Sequence, residues 1–396
     1  MIPVREARAR ILASLTPVAA ETVALAEAWN RVLAAPVVAR RTQPPADVSA
    51  MDGWAVRAAD AVAGARLRRI GSAPAGHPFA GTIGPGETVR LFTGSVVPDG
   101  ADAILMQENA EEHEGGMAVR EAAIAGRHIR RAGQDFAAGE TVLAAGKRLT
   151  ARDIGLAAAA DHPWLAVHRR PRVAILGTGD EIALPGEPVP VGGIVSSNAH
   201  ALAALVRAAG AEPTVLPIAR DEVGAIAAVA DQVAGFDLLV TTGGVSVGEH
   251  DLVRTGLGGR GFALDFWKIA MRPGKPLMHG RLGAVPMVGL PGNPVSALVC
   301  AVLFVLPAIA VLAGLPPTDP PQAEAVLGAG LPANDLREDY LRATLRDGVA
   351  TPHPVQDSSM LAVLARADVL ILRPPFAPAA QPGERVTVLP LSINGI

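Results

Sequence analysis

Hydrophobic and polar positions along this chain follow a succession of different patterns. Residues 4–34 set Ala, Leu, Arg and Glu at amphipathic spacing and read as helix, with Asn30 near the end. Over 37–142 the apolar segments shorten to pieces such as ETVRLF and ADAILM, punctuated by APAGHPFAGTIGPGE, VVPDGAD and AGQDFAAGE. Short apolar runs between Gly- and Pro-rich turns predict an antiparallel β domain. Residues 150–168 return to a helical pattern, so the expected N-terminal helical domain comes in two pieces, 1–40 and 142–168, around an inserted β domain at 41–141.

After the basic junction HRRPR at 168–172, apolar strands alternate with helices: RVAILG, a helix over 199–209, TVLPI, a helix over 222–233, DLLVTT, VPMVGL and a long helix from Pro294. This alternation predicts an α/β domain at 169–316 around a mostly parallel sheet, with ligands at the carboxyl ends of its strands. The Pro-rich LPPTDPPQAE marks another boundary, and DYLRATL, ADVLIL and RVTVLPL predict a small C-terminal β domain at 317–396. Residues 295–315 carry no charge and are long enough for a membrane span. Pro307, the many alanines and the strand-turn-helix pattern that opens the segment favour a buried or interface helix, and no membrane association is expected.

Composition adds limits. The chain has 396 residues, 50% of them hydrophobic, enough for a large core in more than one domain. A formal net charge of −3 gives no global field for nucleic acid, so any anion site must be local. The single cysteine, Cys300, has apolar neighbours and reads as a core residue of a protein in a reducing compartment. MIPVREARARIL lacks an export pattern, and a cytoplasmic location is expected.

Candidate chemistry gathers at three predicted strand ends: GTGDE at 177–181, TTGGVSVGEHD at 241–251 and LPGNPVS at 290–296. Glycines there let backbone N–H groups approach a phosphate, and Thr and Ser hydroxyls add donors. Glu181 and Asp251 are natural hard-oxygen ligands for Mg²⁺, which takes one or two carboxylates. His250 has no second His or Cys at metal-ligand spacing. FWKIAMRPGKP sets Lys268, Arg272 and Lys275 around a Pro-Gly turn, a pattern suited to a tetrahedral oxyanion. Asp52 in SAMDGWAVR, Thr93 in TGS and Asp135 in RRAGQD are each explained equally well by turn chemistry.

Taken together and in order, SAMDGWAVR, LFTGSVVPDGADAILMQE, IRRAGQD, ILGTGDEI, TTGGVSVGEHD, FWKIAMRPGKP and LPGNPVSA closely resemble the MoeA family of molybdopterin molybdenumtransferases, over essentially the full chain. The resemblance implies a homodimer of four-domain subunits, with an adenylyltransferase-like α/β domain, a barrel-like C-terminal domain and a cleft shared between the α/β domain of one subunit and the inserted β domain of the other. It implies a reaction in which adenylylated molybdopterin receives molybdate and AMP leaves in a Mg²⁺-dependent step. The adenylyltransferase and the molybdoenzymes that receive the cofactor are implied partners.

Position by position, the resemblance implies that Gly243, Gly244 and Ser246 cradle phosphate with Thr178, Asn293 and Pro294, and that Glu181 and Asp251 hold Mg²⁺. It places Arg272, Lys275, Pro276, Arg342 and Ser358 on molybdate, and Asp52, Thr93, Asp135 and Asp221 among the catalytic positions with Asp251 and Lys275. Glu249 and His250 become bystanders. Trp54, Arg272, Ser196 and Asp357 depart from the residues usual in the family. Adenylyl transfer to molybdopterin, or a cofactor-binding scaffold, are the alternative readings.

Overall fold

Of the first 34 residues, the computed structural model forms an α-helix only over Val4–Ala13. It describes residues 1–220, 222–230, 232–243 and 261–392. The expected sites Asp221, Gly244, Ser246 and Asp251, with Glu249 and His250, lie outside the described residues.

The helical reading of 4–34 is corrected: after Pro17 the chain enters the strand Ala20–Ala24, which pairs antiparallel with Trp164–His168. Alanines that favour helix locally are overridden by a strand partner distant in sequence, and Asn30 adopts a left-handed turn at φ 62°. The same pairing corrects 150–168, where the helix covers only Ala151–Ala159. Thr150 caps that helix, donating from N and Oγ1 to Asp153 at 2.8 and 2.7 Å, and Lys147 reaches the same carboxylate at 2.6 Å. Helix Val4–Ala13 joins the α/β core instead, placing Val4, Ala7 and Ile11 in one cluster with Val173, Phe304 and Ile309.

The inserted sheet has six strands, ordered Ala103–Met106, Gly53–Val56, Glu87–Leu91, Arg66–Ala73, Gly116–Val119 and Ala110–His113. It is not wholly antiparallel: Arg66–Ala73 runs parallel to Glu87–Leu91. Trp54 is buried in it, with the guanidinium groups of Arg90 and Arg69 at 5.3 and 5.9 Å from its ring.

The α/β sheet runs Glu212–Val215, Arg172–Gly177, Leu238–Thr242, Val285–Leu290, Met278–Leu282 and Phe262–Trp267. Its first four strands are parallel and the last two antiparallel. Strand Val285–Leu290 is buried at every position, as befits a strand covered on both faces. The apolar segment forms the helix Pro294–Leu312, of mean hydropathy 2.8, long and apolar enough to cross a membrane by composition alone. In the fold, 89% of it is buried, and it includes a π-helical stretch over Ala301–Val305. Cys300 is fully buried on it, and burial pushes its thiol well up, as a core role requires.

The C-terminal region closes into a barrel. Ala323–Leu327, Glu338–Arg346, Val349–Pro352, Val369–Arg373 and Arg385–Pro390 pair around a ring, because Glu338–Arg346 contacts both Val349–Pro352 and Val369–Arg373. A short strand from the α/β region, Met271–Arg272, adds to this barrel in parallel with Glu338 and Asp339.

Candidate active site

Parallel strands end together on one rim of the α/β sheet, and the loops after Gly177, Thr242 and Leu290 border a cavity of about 730 Å³. Its floor is set by close backbone approach. Gly243 lies at φ 90°, and a Cβ there would stand 2.3 Å from the Thr178 carbonyl oxygen, so a side chain would force the two loops apart. Thr178 Oγ1 and Thr241 Oγ1 are buried and have no hydrogen-bond partner among the described residues.

Asn198 ties the loops to one another. Its Nδ2 donates to Thr242 Oγ1 at 2.8 Å and to the Gly292 carbonyl at 2.7 Å, while Thr242 Oγ1 donates to the Pro291 carbonyl at 3.2 Å. Sequence reasoning passed over this residue; the signal was SSN, set between the short strand Ile194–Val195 and the helix Asn198–Ala208. Ser196, one of the departures, is buried and lines the cavity.

Glu181 lines the same cavity with its carboxylate over Gly179, Oε2 lying 2.6 Å from where a side chain on that glycine would begin. Lys275, Pro276 and Lys268 form the cationic side, and Lys268 Nζ sits 3.8 Å from the Trp267 ring centroid. The Lys275 loop is seated on the core through Gly274, whose carbonyl is 3.8 Å from Cys300 Sγ. Ile182, Ile194 and Val195 give the cavity an apolar wall.

The barrel also reaches the rim. Asn293 Nδ2 donates to Ser358 Oγ at 2.9 Å, the Val295 N–H donates to the Ser358 carbonyl at 3.1 Å, and the adjacent Ser359 lines the cavity. Asn293 and Pro294 line it as well, with Pro294 at the first turn of the long helix.

Three expected molybdate contacts do not line the cavity: Ser358, whose hydroxyl is held by Asn293, and Arg272 and Arg342. The Arg272 guanidinium donates to Asp339 Oδ1 and Asp335 Oδ2, each at 3.0 Å. Burial pushes the Asp339 carboxyl up against the pull of Arg272, whereas Arg337 hydrogen bonds hold exposed Asp335 at about 2. Arg342 is buried, and burial lowers its affinity for a proton. Its donors go to Gln356 Oε1 at 3.0 Å and to the Asp357 carbonyl at 2.6 Å. Asp357 accepts from Ser359 N and Oγ at 2.8 and 2.6 Å, which holds its carboxyl below the usual range.

Asp52, Thr93 and Asp135 are exposed in the first part of the chain and do not line the cavity. Thr93 N and Oγ1 donate to Asp52 Oδ1 at 2.7 and 2.8 Å, keeping that carboxylate ionised at lower pH than usual. No group of three or more His, Cys, Asp or Glu that could hold a metal occurs among the described residues.

Comparison with known proteins gives this geometry a family. "MoeA N-terminal region (domain I and II)" matches residues 2–160, "Probable molybdopterin binding domain" residues 174–311, and "MoeA C-terminal region (domain IV)" residues 324–391. Molybdopterin molybdenumtransferase 2 of Mycobacterium tuberculosis is 41% identical, covering 82% of this chain and 83% of its own length. Molybdopterin molybdenumtransferase of Nostoc sp. is 36% identical over 94% of this chain and 89% of its own. The crystal structure of the molybdopterin biosynthesis MoeA protein from Pyrococcus horikosii superposes with a TM-score of 0.86 at 27% identity, covering 98% of this chain and 99% of that one. Similarity of this extent, running through every folded unit, means that the chain belongs to the MoeA family of molybdopterin molybdenumtransferases.

Proposed function

We propose that this enzyme transfers molybdenum from molybdate to adenylylated molybdopterin, with Mg²⁺-dependent release of AMP, and so completes molybdenum cofactor. The observation that carries the reading is one cavity that joins a glycine-bounded strand-end turn to Lys268 and Lys275 on one side and to Glu181 on another. A tetrahedral dianion and a phosphate linkage both need cations close by, and a fixed cationic site stabilises charge as it shifts to a leaving phosphate.

The residues divide the work. Gly243, Asn293 and Pro294 shape the surface for the phosphates, and buried Thr178, which does not itself line the cavity, sets that turn by packing its carbonyl against Gly243. Lys275 and Pro276 bind and orient molybdate, with Ser358 placing the barrel against Asn293. Ile182, Ile194 and Val195 exclude water from an organic ring system. Glu181 presents a hard carboxylate oxygen to the cavity, a donor that fits Mg²⁺, and Asp251 would supply the second. Bound Mg²⁺ would offset phosphate charge that Glu181 otherwise repels. Asp52, Thr93 and Asp135 act from the second subunit of a homodimer with a shared cleft, and the exposed, ionised Asp52 suits that placement.

Lys275→Ala tests the reading: the molybdate concentration for half-maximal AMP release should rise by about tenfold or more. An unchanged molybdate dependence would contradict the role of this loop.

A further inference from the structure

We infer that Asp335 and Asp339 are positioning residues for the oxyanion site: they hold Arg272 as a clamp between the α/β domain and the barrel, and Arg272 acts through the Lys275 loop without touching the oxyanion. The inference rests on the proposed molybdate site at Lys275.

Three observations converge on it. Arg272 is forked between two carboxylates, Nε on Asp339 and an Nη on Asp335, each at 3.0 Å, a geometry that its planar guanidinium satisfies and a point charge does not. The backbone repeats the attachment, since Met271 and Arg272 pair in register with Glu338 and Asp339 and the Glu338 N–H donates to the Ala270 carbonyl at 2.9 Å. Lys275 and Pro276 line the cavity a few residues along the same loop, whereas Arg272 does not.

The strand that holds Arg272 also holds the other side of the site. Asp339 and Arg342 both belong to Glu338–Arg346, and Arg342 fixes the Asp357 carbonyl, next to Ser358 and the cavity-lining Ser359. One barrel strand therefore sets the separation between the Lys275 loop and the Ser358–Ser359 loop. Arg337 shares Asp335 with Arg272 at 2.7 Å, so the two carboxylates and two guanidinium groups balance in charge and leave no surplus cation at the clamp to attract a dianion.

The experiment compares Arg272→Gln, Arg272→Lys and the double variant Asp335→Asn/Asp339→Asn. Molybdate-dependent AMP release is separated into KM and kcat, and amide hydrogen exchange is followed over residues 268–276. A clamp predicts that all three variants raise the molybdate KM by a similar factor, roughly three- to tenfold, with a smaller change in kcat. Lysine should not rescue, and combining Arg272→Gln with the double variant should add nothing further. Exchange over 268–276 should rise in each variant. A direct oxyanion contact predicts the opposite: Arg272→Lys retains affinity, and the aspartate variant leaves KM unchanged or lowers it by freeing the arginine. Either result overturns the inference. Asp335→Asn alone, at an exposed position, carries the test if loss of buried Asp339 impairs folding. Absence of molybdate-dependent AMP release in the unmodified enzyme would refute the proposed function, and exchange over 268–276 would still decide the clamp.

Discussion

Gly243 shows at the residue scale how backbone conformation and site coincide. Alanine there would meet the Thr178 carbonyl at 2.3 Å on top of a positive φ, so Gly243→Ala should destabilise the loop by about 1–3 kcal/mol. Thermal unfolding and nucleotide binding check this, and a variant that keeps both would show that the two loops separate freely. Asn198→Ala removes one donor from two loops and should weaken AMP binding more than it lowers thermal stability. Equal loss of AMP binding from Asn198→Asp, which retains the shape, would point to the amide as the group required. Gly243, Glu181 and Lys275 were legible in sequence because glycine, carboxylate and cation declare their chemistry beside strand ends. Asn198 was not, since its work depends on Thr242 and Gly292, which only the folded sheet brings to it.

At the scale of elements, the three central parallel strands, Arg172–Gly177, Leu238–Thr242 and Val285–Leu290, could be read because each is a mainly apolar run with glycine at or just beyond its end. The strand Ala20–Ala24 could not, because its partner Trp164–His168 lies far along the chain and Ala20, Glu21 and Ala24 favour helix against Thr22 and Val23. The long apolar helix posed the reverse problem, as composition alone admits a membrane span and packing places 89% of it inside the fold. Phe304, fully buried on that helix, should cost about 3–5 kcal/mol when replaced by alanine, measured by denaturant unfolding. The capping carboxylate of Asp153 gives a pH signature. Burial alone would push it up; the Lys147 and Thr150 hydrogen bonds outweigh burial and hold it at about 2, below its ordinary 3.8. A depressed folded-state value stabilises above the unfolded one, so this contribution is full above about pH 5 and fades as pH falls toward 2. Asp153→Ala should cost about 1 kcal/mol at neutral pH, and the difference from the unmodified protein should shrink across that window. A constant difference would contradict the assignment.

For the whole molecule, the sequence conveyed several folded units but not their mutual arrangement. Nothing in RPGKP announces that its arginine is held by a barrel strand more than sixty residues later, because ion pairs between units leave no local pattern. The exposed Asp52 and Thr93 raise the corresponding question between subunits. If a homodimer shares each cleft, mixing Asp52→Ala and Lys275→Ala proteins at a molybdate concentration too low for Lys275→Ala to turn over should restore up to about a quarter of the activity, through heterodimers with one intact site. No recovery after verified subunit exchange would place both residues in the same subunit's site. The central claim is tested most directly by incubating the purified enzyme with adenylylated molybdopterin, Mg²⁺ and molybdate while measuring AMP and protein-bound or released molybdopterin-molybdenum together. The account predicts equal amounts of AMP and molybdenum cofactor, both absent without molybdate; AMP release that ignores molybdate, or adenylylated molybdopterin made from ATP, would contradict it.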